Sequence, residues 1–461
     1  MALKDILKNL PEVKPPVEKK LSFNVKLKWT LIVLVAFFVL ANIPLFGLAK
    51  NSLDRFQYLA VILGTDFGSI ISLGIGPIVM ASIILQLLVG SKIIQIDTTT
   101  PEGKKYFQGL QKLMVFFFII FEAAIYVVMR GLEALPGYTG IMIFQLVLGG
   151  VVIVFMDELV QKWGFGSGVS LFIVAGVGWR LFTGLFQFIG PEGGNCLLNF
   201  AQVACGGKVL VLIQSVIQGA PTEALRALVV IVATALIFLV VVWAQSLKVE
   251  IPLVYDKLRG YGIKWPLSFF YANVLPVILV SALAANVQLF AGLLENWLGH
   301  PTFLGTFSQG VPVSGFSFWI YQVNLLDLFA TGRIVWVNLV QAFGHILFYV
   351  IFSAIFAMFW IKTSGMDASS QAKNILSSGL QIPGFRKDER VLESILKRYI
   401  MPLTIMGGAA VGLLAAGADL LGAIGSGTGI LLAVMIIYQL YNSIAQQHAV
   451  DMHPALKKLS S

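Results

Sequence analysis

The chain of 461 residues is 57% hydrophobic and only 12% charged, whereas a soluble domain carries about 25% charged residues. A mean hydropathy of +0.86 excludes a water-soluble globule of this size, and long apolar runs without alternation exclude an outer-membrane barrel, whose strands alternate over about 10 residues. The net charge of +9 is informative through where the positives fall rather than through their total.

The N-terminal 28 residues are polar, and the first apolar run has no small-residue cleavage site, so its helix is expected to stay in the mature chain. Apolar runs bounded by charges and by Gly/Pro clusters predict an N-terminal half (29–190) with helices at 29–48, 74–91, 110–131, 138–158 and 168–189. An external connection at 191–222 follows, then a C-terminal half (223–445) with helices at 223–246, 268–293, 334–361, 400–417 and 429–445, and a tail at 446–461. Ten spans of about 20 residues put both termini on one side. Most of the 32 Lys and Arg residues fall in alternate connections on that side, so both termini are expected to be cytoplasmic in a multi-pass membrane protein. No repeat is visible in the sequence, although five helices on each side of 191–222 suit an inverted-repeat architecture.

The stretch from Ser52 to Gly90 is too long for one span and is interrupted twice, at Gly64-Thr65-Asp66-Phe67-Gly68-Ser69 and at Gly74-Ile75-Gly76-Pro77. Its first part, Leu53 to Leu63, carries Asp54, Arg55 and Gln57 and is too short and polar to cross alone. It is expected either as a re-entrant half-helix shielded by other helices or as an amphipathic helix on the outer surface. Ile75 and Val79 then share one helical face, and Val169 and Ile173 repeat that spacing after Gly166-Ser167-Gly168. Taken alone such pairs are packing or lipid-facing residues.

Cys196 and Cys205 lie in the external connection. Their spacing permits a disulfide on an oxidising side, and two free thiols remain the other reading. The long basic connections at 247–267 and 362–399 hold Gly-Tyr-Gly and Pro-Gly-Phe-Arg-Lys turns and are expected to be docking surfaces, whereas the connection at 294–333 has no readable role. Glu122, Arg130, Glu133, Arg180 and His345 are too scattered to form a proton relay, and Asn273, Asn286 and Gln288 suit hydrogen bonding between helices. The four histidines have no metal-ligand spacing, and neither a Gly-x-Ser-x-Gly elbow nor a phosphate loop is present. No enzyme, cofactor or metal is expected.

Gly74-Ile75-Gly76-Pro77-Ile78-Val79 with Gln86-Leu87-Leu88, Trp163-Gly164-Phe165-Gly166-Ser167-Gly168, and Ala285-Asn286-Val287-Gln288-Leu289 resemble the SecY family, the alpha subunit of the Sec translocon, in its archaeal wording. So do Gly384-Phe385-Arg386-Lys387, Leu396-Lys397-Arg398-Tyr399 and the stretch from Gly425 to Leu432. The resemblance implies an all-α clamshell of ten transmembrane helices in two pseudo-symmetric halves around an hourglass pore. It assigns a pore ring to Ile75, Val79, Val169, Ile173, Ile278 and Leu432, and a plug half-helix at about 53–63 with Leu53, Phe56, Leu59, Ala60 and Leu63. A lateral gate between the second and third spans and the seventh and eighth would include Glu122, Asn286 and Gln288, with Met80 where a small polar residue is usual. Docking of a ribosome through rRNA phosphates would use Arg259, Lys264, Arg386, Lys387 and Arg390. The implied partners are a small one-span SecE/gamma-type subunit, a beta-type subunit, signal sequences with their nascent chains, and the lipid bilayer. The implied function is passive conduction of unfolded secretory polypeptide across the cell membrane, with lateral release of transmembrane segments, driven by a partner such as the translating ribosome. A secondary transporter is the rival class, and it requires coordinating groups at the midplane where this sequence offers an apolar collar.

Overall fold

The structure is a computed structural model describing residues 10–18, 21–91, 93–96, 100–190, 194–198, 200, 203–255, 262–377, 380–381 and 388–452. Helix α1 (Phe23–Ala41) begins and ends about two turns earlier than the hydropathy suggests. Lys26 and Lys28 form its polar end, and the chain leaves the helix at Asn42-Ile43 because a residue before Pro44 is driven out of the α region. Strand β1 (Leu48–Asn51) then pairs antiparallel with β2 (Leu132–Ala134). Between them in sequence come a 3₁₀ turn (Ser52–Phe56), the short α2 (Gln57–Ile62), α3 (Gly76–Gly90) and α4 (Pro101–Val128). Helices α5 (Thr139–Trp163) and α6 (Gly168–Phe186) close the first half.

The connection at 191–222 carries a helix that hydropathy did not separate, α7 (Lys208–Ile217), and Cys196 and Cys205 are disulfide-bonded there. The Gln214 side chain organises this loop, donating to the carbonyls of Phe200 (2.7 Å) and Val203 (2.8 Å) and accepting from the Cys205 amide (3.1 Å). The second half contains α8 (Pro221–Gln245), strands β3 (Lys248–Tyr255) and β4 (Gly262–Ser268), α9 (Leu275–Leu298), and the hairpin β5 (Thr306–Ser308) and β6 (Val311–Ser314). It continues through α10 (Phe316–Ile320), α11 (Leu325–Ala330), α12 (Trp336–Ser364), α13 (Ala368–Ser377), β7 (Leu380–Gln381), α14 (Glu389–Leu420) and α15 (Gly427–Met452).

Among the described residues nine helices are long and apolar enough to cross a membrane, and the tenth expected span is α3, a helix of only 15 residues. The chain before it, from Leu63 to Ile75, is irregular because of the two breaks. Several helices outrun their apolar stretch. Thr100 caps α4 by accepting from the Gly103 amide (3.1 Å), and Asp388 caps α14 by accepting from the Arg390 amide (2.9 Å). Polar first turns therefore extend both helices out of the apolar slab. The seventh span starts later than expected because β4 precedes it, paired antiparallel with β3 in register from Lys248↔Ser268 to Val254↔Gly262. Large apolar side chains such as Val35, Phe117, Phe144, Trp243 and Phe343 are exposed around the bundle, an inverted surface that only lipid tolerates.

Three apolar clusters are buried among the described residues; one lies where β3 and β4 meet α12, α13 and α14, and the other two fill the bundle. Of these two, one gathers α3, α6, α9 and α15, and the other gathers the half-helix at 52–63 with α4, α5 and α9.

Candidate functional site

The second span is built around a reversal at Gly74. Its φ is +53°, in the left-handed region, and a Cβ there would lie 2.2 Å from the Leu63 carbonyl oxygen and 2.8 Å from Thr65 Cβ. That proximity lets the Ile75 amide donate to the Leu63 carbonyl (2.9 Å), joining the end of the half-helix to the start of α3. The Thr65 amide donates to Ala60 O (2.9 Å) and the Thr65 hydroxyl to Ile71 O (2.6 Å). The backbone polar groups of the break are thus paired inside the fold, as irregular chain at membrane depth requires.

The half-helix lies inside the bundle, which settles the two readings in favour of the re-entrant one. Leu53, Phe56, Ala60 and Leu63 are fully buried and Leu59 nearly so, in one cluster with Phe118 and Tyr126 of α4, Leu146 of α5 and Leu289 and Leu293 of α9. A Cβ on Gly292 would fall 2.4 Å from Phe56 Cζ, so α9 uses its missing side chain to seat that ring. The Arg55 guanidinium donates to Asn296 Oδ1 (2.9 Å) and Gly292 O (3.4 Å). Phe307 of β5 meets the Phe56 ring edge-on, with centroids 5.3 Å apart, so the 294–333 connection covers the half-helix.

Beside it, Ile75, Ile173 and Leu432 are fully buried, Val79 and Ile278 nearly so, and Val169 half-buried, all in or against the other bundle cluster. They come from the start of α3 and from α6, α9 and α15. Leu431, next to Leu432, is equally buried. A Cβ on Gly64 would lie 3.7 Å from Ile75 Cγ2, so the end of the half-helix abuts this collar.

The seam where α3 meets α9 and α12 is tight, since a Cβ on Gly90 would fall 2.3 Å from Phe359 Cδ1. Met80 packs against both bundle clusters. Glu122 is fully buried and neither carboxylate oxygen has a hydrogen-bond partner; a Cβ on Gly76 would lie 3.1 Å from its Oε2. Asn286 donates to Ala282 O of its own helix (2.9 Å), and its Oδ1 is buried without a partner. Glu122 and Asn286 therefore do not hydrogen-bond each other. Gln288 is buried on the same helix.

The two basic connections meet in one sheet of order β4-β3-β7, with Val254↔Gln381 and Tyr255↔Leu380 paired. Lys264 is engaged by Glu250 (2.7 Å), whose carboxylate holds the ammonium above its ordinary range by hydrogen bonding and charge. Arg390 is exposed in the first turn of α14. Arg259, Arg386 and Lys387 lie outside the described residues.

Sequence reasoning passed over two buried carboxyls, Asp157 and Asp419; the one cue to them is the Gly-Ser-Gly that follows each a few residues on. Asp419 Oδ2 stands 3.4 Å from His345 Nε2. Among the described residues no group of His, Cys, Asp and Glu is arranged to hold a metal.

Residues 69–441 match the family model SecY, and residues 35–68 match that of the plug domain of Sec61p. The protein translocase subunit SecY of Methanothermobacter thermautotrophicus is 43% identical over 457 residues, covering 97% of this chain and 96% of the relative. A solved structure described as a protein conducting channel superposes with a TM-score of 0.83 at 37% identity, covering 99% of each chain. Sec61 in the canine ribosome-channel complex from the endoplasmic reticulum does so with a TM-score of 0.80 at 36% identity, again over 99% of each.

Proposed function

The chain belongs to the SecY family and is the channel subunit of a protein translocase, and from that premise we propose how its residues divide the work. Ile75, Val79, Val169, Ile173, Ile278 and Leu432 form the constriction through which unfolded polypeptide passes. An apolar collar suits the task, because a pore that must release every side chain offers none a hydrogen bond or a charge, and it dewets when empty. Leu53 to Leu63 is the plug that seals it. The seam between α3–α4 and α9–α12, with Glu122, Asn286 and Gln288, is the lateral gate through which apolar segments enter lipid. The halves 29–190 and 223–445 are the two jaws around the pore.

One observation carries this reading: the Leu63 carbonyl accepts from the amide of Ile75 (2.9 Å), so the seal and the collar are consecutive pieces of one broken span. A photocrosslinker at Val79 or Ile278 is expected to form an adduct with a secretory chain stalled in the reconstituted channel. Loss of adducts from both positions, with insertion of the channel confirmed, would sink the collar assignment. Saturable, ion-coupled uptake of a small solute would favour a transporter instead.

The termini are placed in the cytoplasm on the distribution of positive charge, which puts the β4-β3-β7 sheet on that side. Arg259, Lys264, Arg386, Lys387 and Arg390 are the residues by which the two basic connections dock a ribosome, in keeping with the ribosome-bound relative, while a SecE/gamma-type and a beta-type subunit flank the jaws. Lys264 spends part of its charge on Glu250, so Arg386→Glu with Lys387→Glu is expected to weaken ribosome binding about tenfold or more and flatten its salt dependence. Lys264→Glu should cost less. Equilibrium binding at two salt concentrations separates the cases, and an unchanged salt slope in the double variant would remove these residues from the interface.

A further inference from the structure

The helices carrying Val169, Ile173 and Leu432 begin in the same way, although one lies in each half of the chain. Asp157, near the end of α5, accepts at Oδ1 from the Val169 amide (3.0 Å), and Asp419, near the end of α14, accepts at Oδ1 from the Thr428 amide (2.7 Å). Gly166-Ser167-Gly168 and Gly425-Ser426-Gly427 make the two corners. Each first glycine is left-handed, with φ +74° and +86°. Each second glycine has no room for a side chain. A Cβ on Gly168 would lie 2.5 Å from Asp157 Cα, and one on Gly427 would lie 1.9 Å from the Ala418 carbonyl carbon and 2.3 Å from the Asp419 nitrogen. The serine carbonyls then accept the first helical bonds, from Leu171 N and Ile430 N, both at 3.1 Å.

Five helices of spanning length, α6, α8, α9, α12 and α14, separate the corners, so an odd number of crossings puts them on opposite faces of the bundle. Collar side chains are apolar, and their contacts are non-directional, so they do not by themselves fix the depth or rotation of the helix they stand on. A carboxylate at a helix start does, because it satisfies an amide left unpaired by the helix and opposes the positive end of its dipole. Val169 is itself the donor to Asp157, and Leu432 stands one turn beyond Thr428. The second oxygens are also engaged. Asp157 Oδ2 accepts from Gln161 Nε2 (2.7 Å), and Asp419 Oδ2 accepts from the Thr428 hydroxyl and faces His345, whose Nδ1 donates to Ile320 O (2.8 Å).

We propose that Asp157 and Asp419 are matched positioning residues, one at each face, that fix α6 and α15 so that the resting collar closes. This rests on the collar reading given above. The test is resting chloride efflux from sealed vesicles holding the full chain with its co-purifying subunits. Asp157→Ala and Asp419→Ala are each expected to raise efflux about fivefold, the population shift that loss of one helix cap gives, while Asp157→Asn and Asp419→Asn stay within about twofold. Asp157→Gln keeps the amide but carries it one methylene further, so it should leak like the alanine variant. A purely structural need for a polar group would be met by either amide. Folded alanine variants as tight as the parent, or asparagine as leaky as alanine, would overturn the proposal. If the alanine variants are not recovered folded, the asparagine and glutamine variants decide, and a tight Asp157→Gln overturns it. Ile278→Gly is the control: if it is tight, the collar reading itself falls, and if it leaks beside tight aspartate variants, only the positioning role does.

Discussion

Gly74→Val should leave a channel that is less stable and that leaks at rest, with the largest loss of any single substitution in the second span. A residue with a Cβ pays about 1–2 kcal/mol to hold a left-handed φ, and the clash is added to that. The Cβ would meet the Leu63 carbonyl oxygen at 2.2 Å, and this oxygen moves only if the bond from the Ile75 amide is given up. Strain and the lost buried hydrogen bond together come to roughly 3 kcal/mol or more. Relief is available in one direction, by withdrawing the half-helix from the collar. Gly64 supplies the comparison, since its φ is +54° but its Cβ would find only ordinary contacts at 3.5 Å and beyond. Gly64→Ala should therefore show the backbone cost alone, about 1–2 kcal/mol. Thermal unfolding in detergent and ion leak in vesicles measure both. Equal effects at the two glycines would mean that the junction between seal and collar is not where the strain falls.

The broken second span was legible because a break leaves turn chemistry in the sequence, and the burial of Leu53, Phe56, Leu59, Ala60 and Leu63 follows the positions expected there. Helix ends were less legible. Hydropathy reports transfer into an apolar slab, whereas helices such as α4 and α14 continue through polar turns once Thr100 or Asp388 caps them. The strand pair that displaced the start of the seventh span did leave a signal, the alternation of Lys248, Glu250 and Pro252 with Val249, Ile251 and Leu253, but its short strands sit beside an apolar run. The pairing of β3 with β7 left none, because strands so far apart in sequence meet only through tertiary structure. The same holds for Phe307 on Phe56. Asp157 and Asp419 resemble ordinary helix-end polar residues until the corners that follow them bring their carboxylates onto the next helix.

Glu122→Leu is expected to act in the opposite sense to Gly74→Val, raising thermal stability while slowing translocation. A buried group with no partner forfeits about 1–3 kcal/mol, and more where it carries charge, and both oxygens of Glu122 are in that condition. The cost falls on the arrangement of this structure, taken as the closed state of the proposed gate, in which Glu122 of α4 is buried beside Gly76 of α3. Opening the proposed gate brings it to water or to the entering chain. Leucine removes the penalty only from the closed state, so the equilibrium shifts toward closure by about 1–3 kcal/mol, roughly five- to 150-fold. The expected results are a higher unfolding midpoint in detergent and a strong fall in translocation of precursors with weakly apolar signal sequences, less marked for strongly apolar ones that supply more energy for opening. Asn286→Leu should follow the same course to a smaller degree, because the Asn286 amide nitrogen is already satisfied by Ala282 O and only its oxygen is orphaned. A Glu122→Leu channel that is stabilised yet translocates weak and strong signals at the parent rate would show that this carboxyl lies outside the moving seam.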